Sequence, residues 1–305
     1  MEIIWNTNNL HLKKPSVLSI GNFDGIHLGH QEILKKLKQY AKQLGAASTL
    51  LSFEPHPRIV LAKTDWPEIR LLTTIEEKIE IYQQFQLDRL VIAQFTDEFA
   101  AIDAETYVRD IISDLLKTNF IVVGPVHVFG RDRKGNVETL KKLGQVYHFG
   151  VKVVEPVSLG DEIISSTQIR EYLNNGDIVK ANRQLGRYYS ILAQLIHCDN
   201  PQFNWGVQAG NVRLLSRYKL VPKSGVYSIS ATVTQTTYQG VLYIRNESTL
   251  NTPYLEIHLI NFKDKIAEQG VKIELTDRIK DEFIPQINQR FIEQFHLEKK
   301  ITNRV

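Results

Sequence analysis

The sequence predicts an α/β amino-terminal half built on a parallel sheet, followed by a smaller β-rich half that closes as an antiparallel barrel or sandwich. Three observations carry this expectation. Between Ser16 and about Val157, short apolar runs alternate with segments of helical period, the pattern of helices covering both faces of a parallel sheet. Beyond Pro222 the texture changes to closely spaced β-rich runs punctuated by turn residues. A turn rich in glycine and histidine follows the first of the apolar runs and opens the first helix.

Taken in chain order, apolar runs at residues 17–20, 47–53, 89–95, 120–124 and 151–154 predict strands. Helical spacing at 32–44, 74–85, 104–116 and 136–149 fills the gaps; in the first of these, Ile33, Leu34, Leu37, Ala41 and Leu44 share a face. Two short helical segments precede a domain boundary near 186–190, which gives domains of residues 1–186 and 187–305. In the second, runs at 226–234, 238–244, 254–260 and 271–275 predict strands, closed by a helix at 281–294.

A chain of 305 residues suits two domains, and 43% hydrophobic with 23% charged residues is ordinary for a soluble globular protein. The net charge of +3 suits anionic small molecules and gives no nucleic-acid footprint, which needs clustered basic residues with interleaved aromatics. Lys35-Lys36, Lys141-Lys142 and Lys299-Lys300 are expected on solvated faces. Cys198 is the single cysteine, which excludes an intrachain disulfide and a cysteine metal cage and points to the cytoplasm. The start of the chain has no basic segment followed by an apolar core, and no apolar run approaches the roughly 20 residues that span a bilayer, so neither a signal peptide nor a membrane span is expected.

The chemistry concentrates in Gly21-Asn22-Phe23-Asp24-Gly25-Ile26-His27-Leu28-Gly29-His30. Small residues at Gly21, Gly25 and Gly29 let backbone amides approach a ligand, and the following helix N-terminus adds a partial positive charge suited to phosphate. His27 and His30 can donate to a triphosphate and strengthen those bonds as charge builds on a departing pyrophosphate. The segment holds no carboxylate pair and no nucleophilic Ser or Cys, so covalent catalysis is not indicated. From these residue types alone, a glycine turn with one capping and one packed histidine stays open. Downstream, Ser165, Ser166 and Thr167 stand at a helix start where hydroxyls cap or donate to phosphate, and Arg170 follows one turn in; a plain helix cap is the alternative. In Phe53-Glu54-Pro55-His56-Pro57 two prolines fix the backbone at a strand end.

The string Gly-x-Phe-Asp-Gly-x-His-x-Gly-His resembles the first signature of the bacterial flavin adenine dinucleotide (FAD) synthetases, within the nucleotidylyltransferase superfamily marked by His-x-Gly-His. Ile164-Ser165-Ser166-Thr167-Gln168-Ile169-Arg170 is similar to that family's second nucleotide motif, and Phe53 to Pro57 to its Phe-x-Pro-His-Pro loop, which borders the flavin and nucleotide sites. Thr73 and Glu77-Lys78 also fit, so the resemblance runs over about residues 19–187. It implies a Rossmann-like nucleotidylyltransferase domain followed by a barrel of riboflavin-kinase type. The implied reaction makes FAD and pyrophosphate from ATP and FMN with Mg²⁺, the metal being held by phosphates and water and by no protein cage. By the same resemblance His27, His30 and Arg170 are catalytic. Gly21, Asn22, Phe23, Asp24, Gly25, Gly29, Ser165, Ser166 and Thr167 bind nucleotide, and Phe53, Pro55, His56 and Pro57 border flavin.

Two departures from the family pattern shape the expectation. Where relatives carry Gly-x-(Asp or Asn)-Phe-x-Phe-Gly, this chain has Gly124-Pro125-Val126-His127-Val128-Phe129-Gly130, so a polar side chain becomes Val126 and an aromatic becomes His127. The kinase opening Gly-x-Val-x-x-Gly-x-x-x-Gly-Arg-x-Leu-Gly-Phe-Pro-Thr-Ala-Asn, laid on residues 193–211, meets Ala193, Cys198 and Gln202 at its first three glycines and Phe203 at its arginine. Its Pro-Thr-Ala-Asn becomes Gln208-Ala209-Gly210-Asn211, removing the hydroxyl expected on magnesium; Gly206 and Asn211 alone are kept. Pro222 to Tyr227 keeps the scaffold pattern, Glu256 keeps the position of the catalytic base, and Tyr243, Arg245 and Ala267-Glu268 replace other motif residues. The expectation is an FMN adenylyltransferase with a degenerate kinase site, marked by Asn211 and Glu256, whose kinase activity is lost. A bifunctional riboflavin kinase and FAD synthetase, and a non-catalytic flavin- or nucleotide-binding regulator, are the alternatives.

Overall fold

The computed structural model describes residues 1–6, 10, 12, 14–62, 68–197, 208–245, 253–262 and 268–281. It divides into two compact units, Met1–Arg70 with Lys78–Ile164, and Leu71–Glu77 with Ser165–Val305.

The first unit is a six-stranded, all-parallel sheet. Its strands are β1 (Glu2–Trp5), β2 (Ser16–Ile20), β3 (Ala47–Glu54), β4 (Arg89–Gln94), β5 (Thr118–Val123) and, after the short hairpin of β6 (Val128–Phe129) and β7 (Gly135–Asn136), β8 (Gly150–Val153). The spatial order is β1-β4-β3-β2-β5-β8. Every residue of β2 is buried, as are seven of the eight in β3, because helices cover both faces of a parallel sheet. That double burial makes these strands continuous apolar runs legible in the sequence. Leu18, Leu51, Val91 and Ile121 form the heart of one face of the core, each side chain worth about 1.5–3 kcal/mol on burial.

Helix α1 (Leu28–Leu44) starts at an N-cap on His27 and ends at Gly45, whose left-handed φ of 61° lets its N–H return to the carbonyls of Ala41 and Lys42. The unit also carries α2 (Pro57–Val60), most of α3 (Ile75–Gln84), α4 (Asp97–Ala100), α5 (Ala104–Thr106) and α6 (Val137–Val146), with a small hairpin of β9 (Ser158–Leu159) and β10 (Glu162–Ile163) near its end. The segment 104–116, expected as one α-helix, is instead α5 followed by a nine-residue π-helix, Tyr107–Leu115. Its buried residues Tyr107, Val108 and Ile112 pack on the core, and packing outweighs the α-helical preference of the sequence.

The second unit contains α7 (Ser166–Asn175), α8 (Ile178–Leu185) and a closed antiparallel barrel of order β11-β12-β15-β14-β13-β16. The strands are β11 (Tyr189–His197), β12 (Gln208–Leu214), β13 (Gly225–Val233), β14 (Thr236–Arg245), β15 (Tyr254–Leu259) and β16 (Gln269–Lys280). The barrel alternative is therefore the one realised, and β11 and β12 belong to it although their sequences lie before the β-rich texture. Gly240 permits the close approach of β14 to β15: a Cβ there would lie 2.2 Å from the His258 carbonyl oxygen. The helix expected at 281–294 and the kinase-motif positions Cys198, Gln202, Phe203 and Gly206 lie outside the described residues. Among the described residues no helix is long and apolar enough to cross a membrane.

Within this unit a buried ion pair ties Leu71–Glu77 to the barrel strands. Lys219 Nζ lies 2.6 Å from Glu77 Oε2 and 2.7 Å from the Leu72 carbonyl oxygen, and 4.4 Å above the Tyr189 ring. Glu77 accepts the Leu192 N–H of β11 on Oε1 (2.9 Å) and the Thr74 N–H on Oε2 (3.0 Å). Both side chains are at most 2% exposed. Removing one partner strands the other charge, so Glu77→Ala is expected to destabilise the second unit by about 3–5 kcal/mol in chemical denaturation. Glu77→Ala combined with Lys219→Met should recover most of that loss.

Candidate functional site

The strand order reverses at β2: the chain steps from β2 through β3 to β4 on one side, then places β5 and β8 on the other. Ligands of open α/β sheets bind beyond the carboxyl ends of strands at such a switch point. The loops that leave β2, β3 and β5 there are Gly21–His30, Glu54–Pro57 and Gly124–Gly130, so the topology brings three of the sequence-predicted segments to one edge of the sheet.

The first loop is tightly wound. Phe23, Gly25 and Ile26 all have positive φ (46°, 85° and 39°), and the Ile26 N–H donates to the Phe23 carbonyl at 3.0 Å. A left-handed Phe and a left-handed β-branched Ile are costly, and such strain clusters at functional sites. The turn ends on His27, whose Nδ1 accepts the His30 N–H at 3.3 Å and so caps α1. An accepting Nδ1 leaves Nε2 as the protonated nitrogen of the neutral ring. The His27 and His30 rings stack with centroids 3.7 Å apart and planes 18° apart, and Phe23 closes on His30 at 4.9 Å. His27 thus caps α1 and stacks on His30. Gly29 is required by this stack, since a Cβ there would meet the His27 ring at 3.2 Å. Asp24 is buried, and the Asn22 Oδ1 is sealed from solvent without a partner among the described residues.

The second loop repeats the device on a smaller scale. His56 is buried, and its Nδ1 accepts the Arg58 N–H at 3.1 Å ahead of Pro57, while Glu54-Pro55 is a cis peptide. Phe53 is the first of a row of aromatic rings. It packs on Phe95 (5.8 Å) and Phe99 (5.5 Å), Phe99 on Tyr107 (5.9 Å), Tyr107 on Phe129 (5.8 Å) and Phe129 on His127 (5.8 Å, 24° between planes). Sequence reading singled out Phe53 from this row, with His127 and Phe129 in the 124–130 motif, and gave no part to Phe95, Phe99 and Tyr107. The signal available was an aromatic near the carboxyl end of each of the neighbouring strands, Phe53 within β3, Phe95 after β4 and Phe129 in the loop after β5. Tyr107 lies on the π-helix, and burial pushes its phenol well above the ordinary range; its hydroxyl finds no partner among the described residues. These rings meet mainly edge to face, as in a packed core, and Phe53, Tyr107 and Phe129 are buried.

In the second unit, Ser165 caps α7 by accepting the Gln168 N–H at 3.2 Å, and Gln168 in turn accepts a bond from Gln184 Nε2 at 2.7 Å. Ser166 and Thr167 occupy the first turn, Thr167 exposed and Ser166 and Arg170 half-buried. One of the three hydroxyls therefore caps, and the other two remain at the helix start. In the barrel, Glu256 of β15 pairs in register with Asn211 of β12 on one side and Tyr243 of β14 on the other. Its carboxylate is fully buried, taking the Tyr254 hydroxyl on Oε2 at 2.6 Å and lying 2.7 Å from His258 Nε2 through Oε1. Among the described residues no group of three or more His, Cys, Asp or Glu side chains could hold a metal ion.

Comparison with known proteins agrees with this layout. The FAD synthetase family model matches residues 10–168, and the riboflavin kinase family model matches residues 185–305. The bifunctional riboflavin kinase/FMN adenylyltransferase of Bacillus subtilis is 33% identical, over 92% of this chain and 91% of that protein. The chain belongs to the bifunctional riboflavin kinase/FMN adenylyltransferase family. Other family members include the enzymes so named in Buchnera aphidicola (subsp. Schizaphis graminum), 30% identical over 100% of this chain and 98% of that one, and in Escherichia coli K12, 28% identical over 99% and 95%. A crystal structure of a macrolide-efflux protein from Streptococcus pneumoniae superposes with a TM-score of 0.85 at 23% identity, covering 100% of each chain, a likeness of fold. The six-stranded parallel sheet and the closed barrel are thus the two folds of the family, as the resemblance implies.

The fold resists protonation of His127. Burial pushes its imidazole down to about 4 from 6.5. With the folded value below the unfolded one, the unfolded chain takes up a proton first as pH falls, so stability is full above about 6.5 and drains away toward pH 4. Between these limits the loss is expected at about 1–3 kcal/mol, the lower end allowing for the ring's open edge. Denaturation midpoints measured across this window should show it, and His127→Phe should flatten the profile.

Proposed function

We propose that this family member transfers the adenylyl group of ATP to FMN, making FAD and pyrophosphate, with the reaction centred on the Gly21–His30 turn. The observation that carries the reading is the stacked His27–His30 pair at the mouth of α1, with His27 held as a cap so that its Nε2 is the donor. In the proposed reaction an FMN phosphate oxygen attacks the α-phosphorus of ATP in line, forming one P–O bond as the bond to the β-phosphate bridging oxygen breaks. Charge builds on the departing pyrophosphate, where donors fixed in advance are worth most. His27 and His30 fill that role. Gly21, Asn22, Phe23, Asp24, Gly25 and Gly29 shape the turn around the triphosphate. Ser165, Ser166, Thr167 and Arg170 are assigned to nucleotide binding by their motif. Phe53, Pro55, His56 and Pro57 are assigned to the flavin by theirs.

Magnesium, which the family implies, would be carried mainly by phosphate and water oxygens, since the described residues supply no acidic cage for it. Bound there, it would neutralise phosphate charge.

For the barrel we assign riboflavin phosphorylation by ATP, the activity in the names of the full-length relatives, supported by the kinase match over residues 185–305. A chain limited to adenylyl transfer is the second reading. It is favoured by Gln208-Ala209-Gly210 in place of the hydroxyl-bearing motif and by the sealing of Glu256 between Tyr254 and His258. The functional division proposed is residues 1–186 for adenylyl transfer and 187–305 for the barrel.

Incubation of the chain with ATP and Mg²⁺, with FMN in one tube and riboflavin in another, followed by chromatography of the flavins, separates these readings. FAD from FMN establishes adenylyl transfer; FMN or FAD from riboflavin establishes the kinase, and untouched riboflavin selects the second reading. His27→Ala with His30→Ala is expected to lower FAD formation by about 10²–10³-fold, and losing the His27 cap should cost about 0.5–2 kcal/mol of stability, too little to unfold the chain at assay temperature. Unchanged turnover in that double variant would remove both histidines from the mechanism.

A further inference from the structure

We infer that Tyr254 is a catalytic residue of the barrel, the group that takes the proton of the substrate hydroxyl while passing its own to Glu256; this rests on the riboflavin phosphorylation assigned to the barrel above.

Burial is the first support. Glu256 and His258 are fully buried, whereas Tyr254 is half-buried. The three alternate along β15 and so share one face of the sheet, while Leu255, Ile257 and Leu259 take the other. A carboxylate only accepts hydrogen bonds, so the Tyr254 O–H donates to Glu256 Oε2 at 2.6 Å and the His258 Nε2–H donates to Oε1 at 2.7 Å. With both carboxylate oxygens occupied, Tyr254 is the end of the chain of groups that a substrate can meet, and its oxygen has lone pairs with which to accept. The sealing that would disable Glu256 as a direct base thus leaves a route through the phenol.

The neighbouring strands are the second. Asn211 of β12 is in register with Glu256 and turns to the same face, where its Oδ1 is sealed from solvent with no partner among the described residues. Unsatisfied buried polar atoms are rare and call for an explanation, and a ligand on this face is one. Arg245 of β14 is in register with Tyr254, and its guanidinium carbon lies 5.3 Å from the centre of the phenol ring. A cation in that place holds the ring and favours the negative charge that the phenol oxygen takes on as its proton leaves.

In the step proposed, the primary hydroxyl oxygen of the riboflavin side chain attacks the γ-phosphorus of ATP. One P–O bond forms as the bond to the β–γ bridging oxygen breaks, and ADP departs with that electron pair. The hydroxyl proton passes to the Tyr254 oxygen while the Tyr254 proton passes to Glu256 Oε2, so Tyr254 ends neutral and Glu256 protonated. His258 keeps its bond to Oε1 throughout. Positioning of the attacking hydroxyl is the protein's main contribution to such a transfer, and Tyr254 supplies it with the proton's exit.

The test is steady-state phosphorylation of riboflavin by the full chain with ATP and Mg²⁺, read by chromatography as FMN plus FAD, beside FAD formation from added FMN and the thermal midpoint. Tyr254→Phe keeps the ring beside Arg245 and removes only the hydroxyl. It is expected to lower kcat for phosphorylation by about 10²-fold or more, with the KM for riboflavin within about threefold of the parent and FAD formation from FMN in place. Because the two groups act in series, Tyr254→Phe combined with Glu256→Gln should fall no further than the less active of the single variants. An unchanged kcat in Tyr254→Phe overturns the inference. So do losses that multiply in the double variant, since independent groups give that result, and a raised riboflavin KM with kcat unchanged, since a binding residue gives that one. A loss accompanied by a midpoint lowered to the assay temperature marks a packing residue and overturns it as well. A parent chain that leaves riboflavin untouched is a different failure, that of the kinase reading, and takes this inference with it.

Discussion

The reversal of strand order at β2 is the constraint from which the candidate site follows. A strand paired in parallel on both sides and covered on both faces must be apolar throughout, and β2 is buried at every position. Its neighbours leave the sheet in opposite directions, which opens a crevice at its carboxyl end without any special residue. What the sequence adds there is chemistry: a turn compact enough to need left-handed backbone at Phe23, Gly25 and Ile26, ending on a histidine that caps the helix behind it. The cap and the strain belong together, because His27 can accept the His30 N–H only if the chain has turned sharply before it.

In the second unit the corresponding constraint is a charge pair removed from water. Lys219 and Glu77 gather Leu72, Thr74, Leu192 and the Tyr189 ring around them, so that seven residues distant in sequence from the barrel are counted with it. A buried pair of this kind adds little net stability over apolar packing, yet each charge makes the other obligatory. Glu256, His258 and Tyr254 form a second fully or partly buried polar group in the barrel wall, linked to one another by hydrogen bonds. Such a group persists through sequence change because partial loss leaves a buried polar atom without a partner.

Much of the site was legible before the structure. The Gly21–His30 string carries its own geometry, since glycine spacing, a histidine at the helix start and the following apolar period all depend on neighbours within a turn or two. The Ser165 cap was legible for the same reason. The aromatic row was not. Phe95, Phe99 and Tyr107 lie in separate segments, Phe129 was read only within the 124–130 motif, and only the tertiary packing places them in succession. The π-helical turn that carries Tyr107 was equally hidden, because its sequence has an ordinary helical period.

By itself the sequence determined the parallel sheet, the β-rich second half, the phosphate-suited turn and the family resemblance, because each depends on local periodicity or on a contiguous string. The tertiary structure decided that His27 accepts the cap bond on Nδ1 and that His27 and His30 stack. It also decided that β11 and β12 complete the barrel and that Glu77 answers a lysine 142 residues away. These are contacts between groups far apart along the chain or set by ring orientation, and burial, which alone makes them obligatory, exists only once the chain has closed on itself.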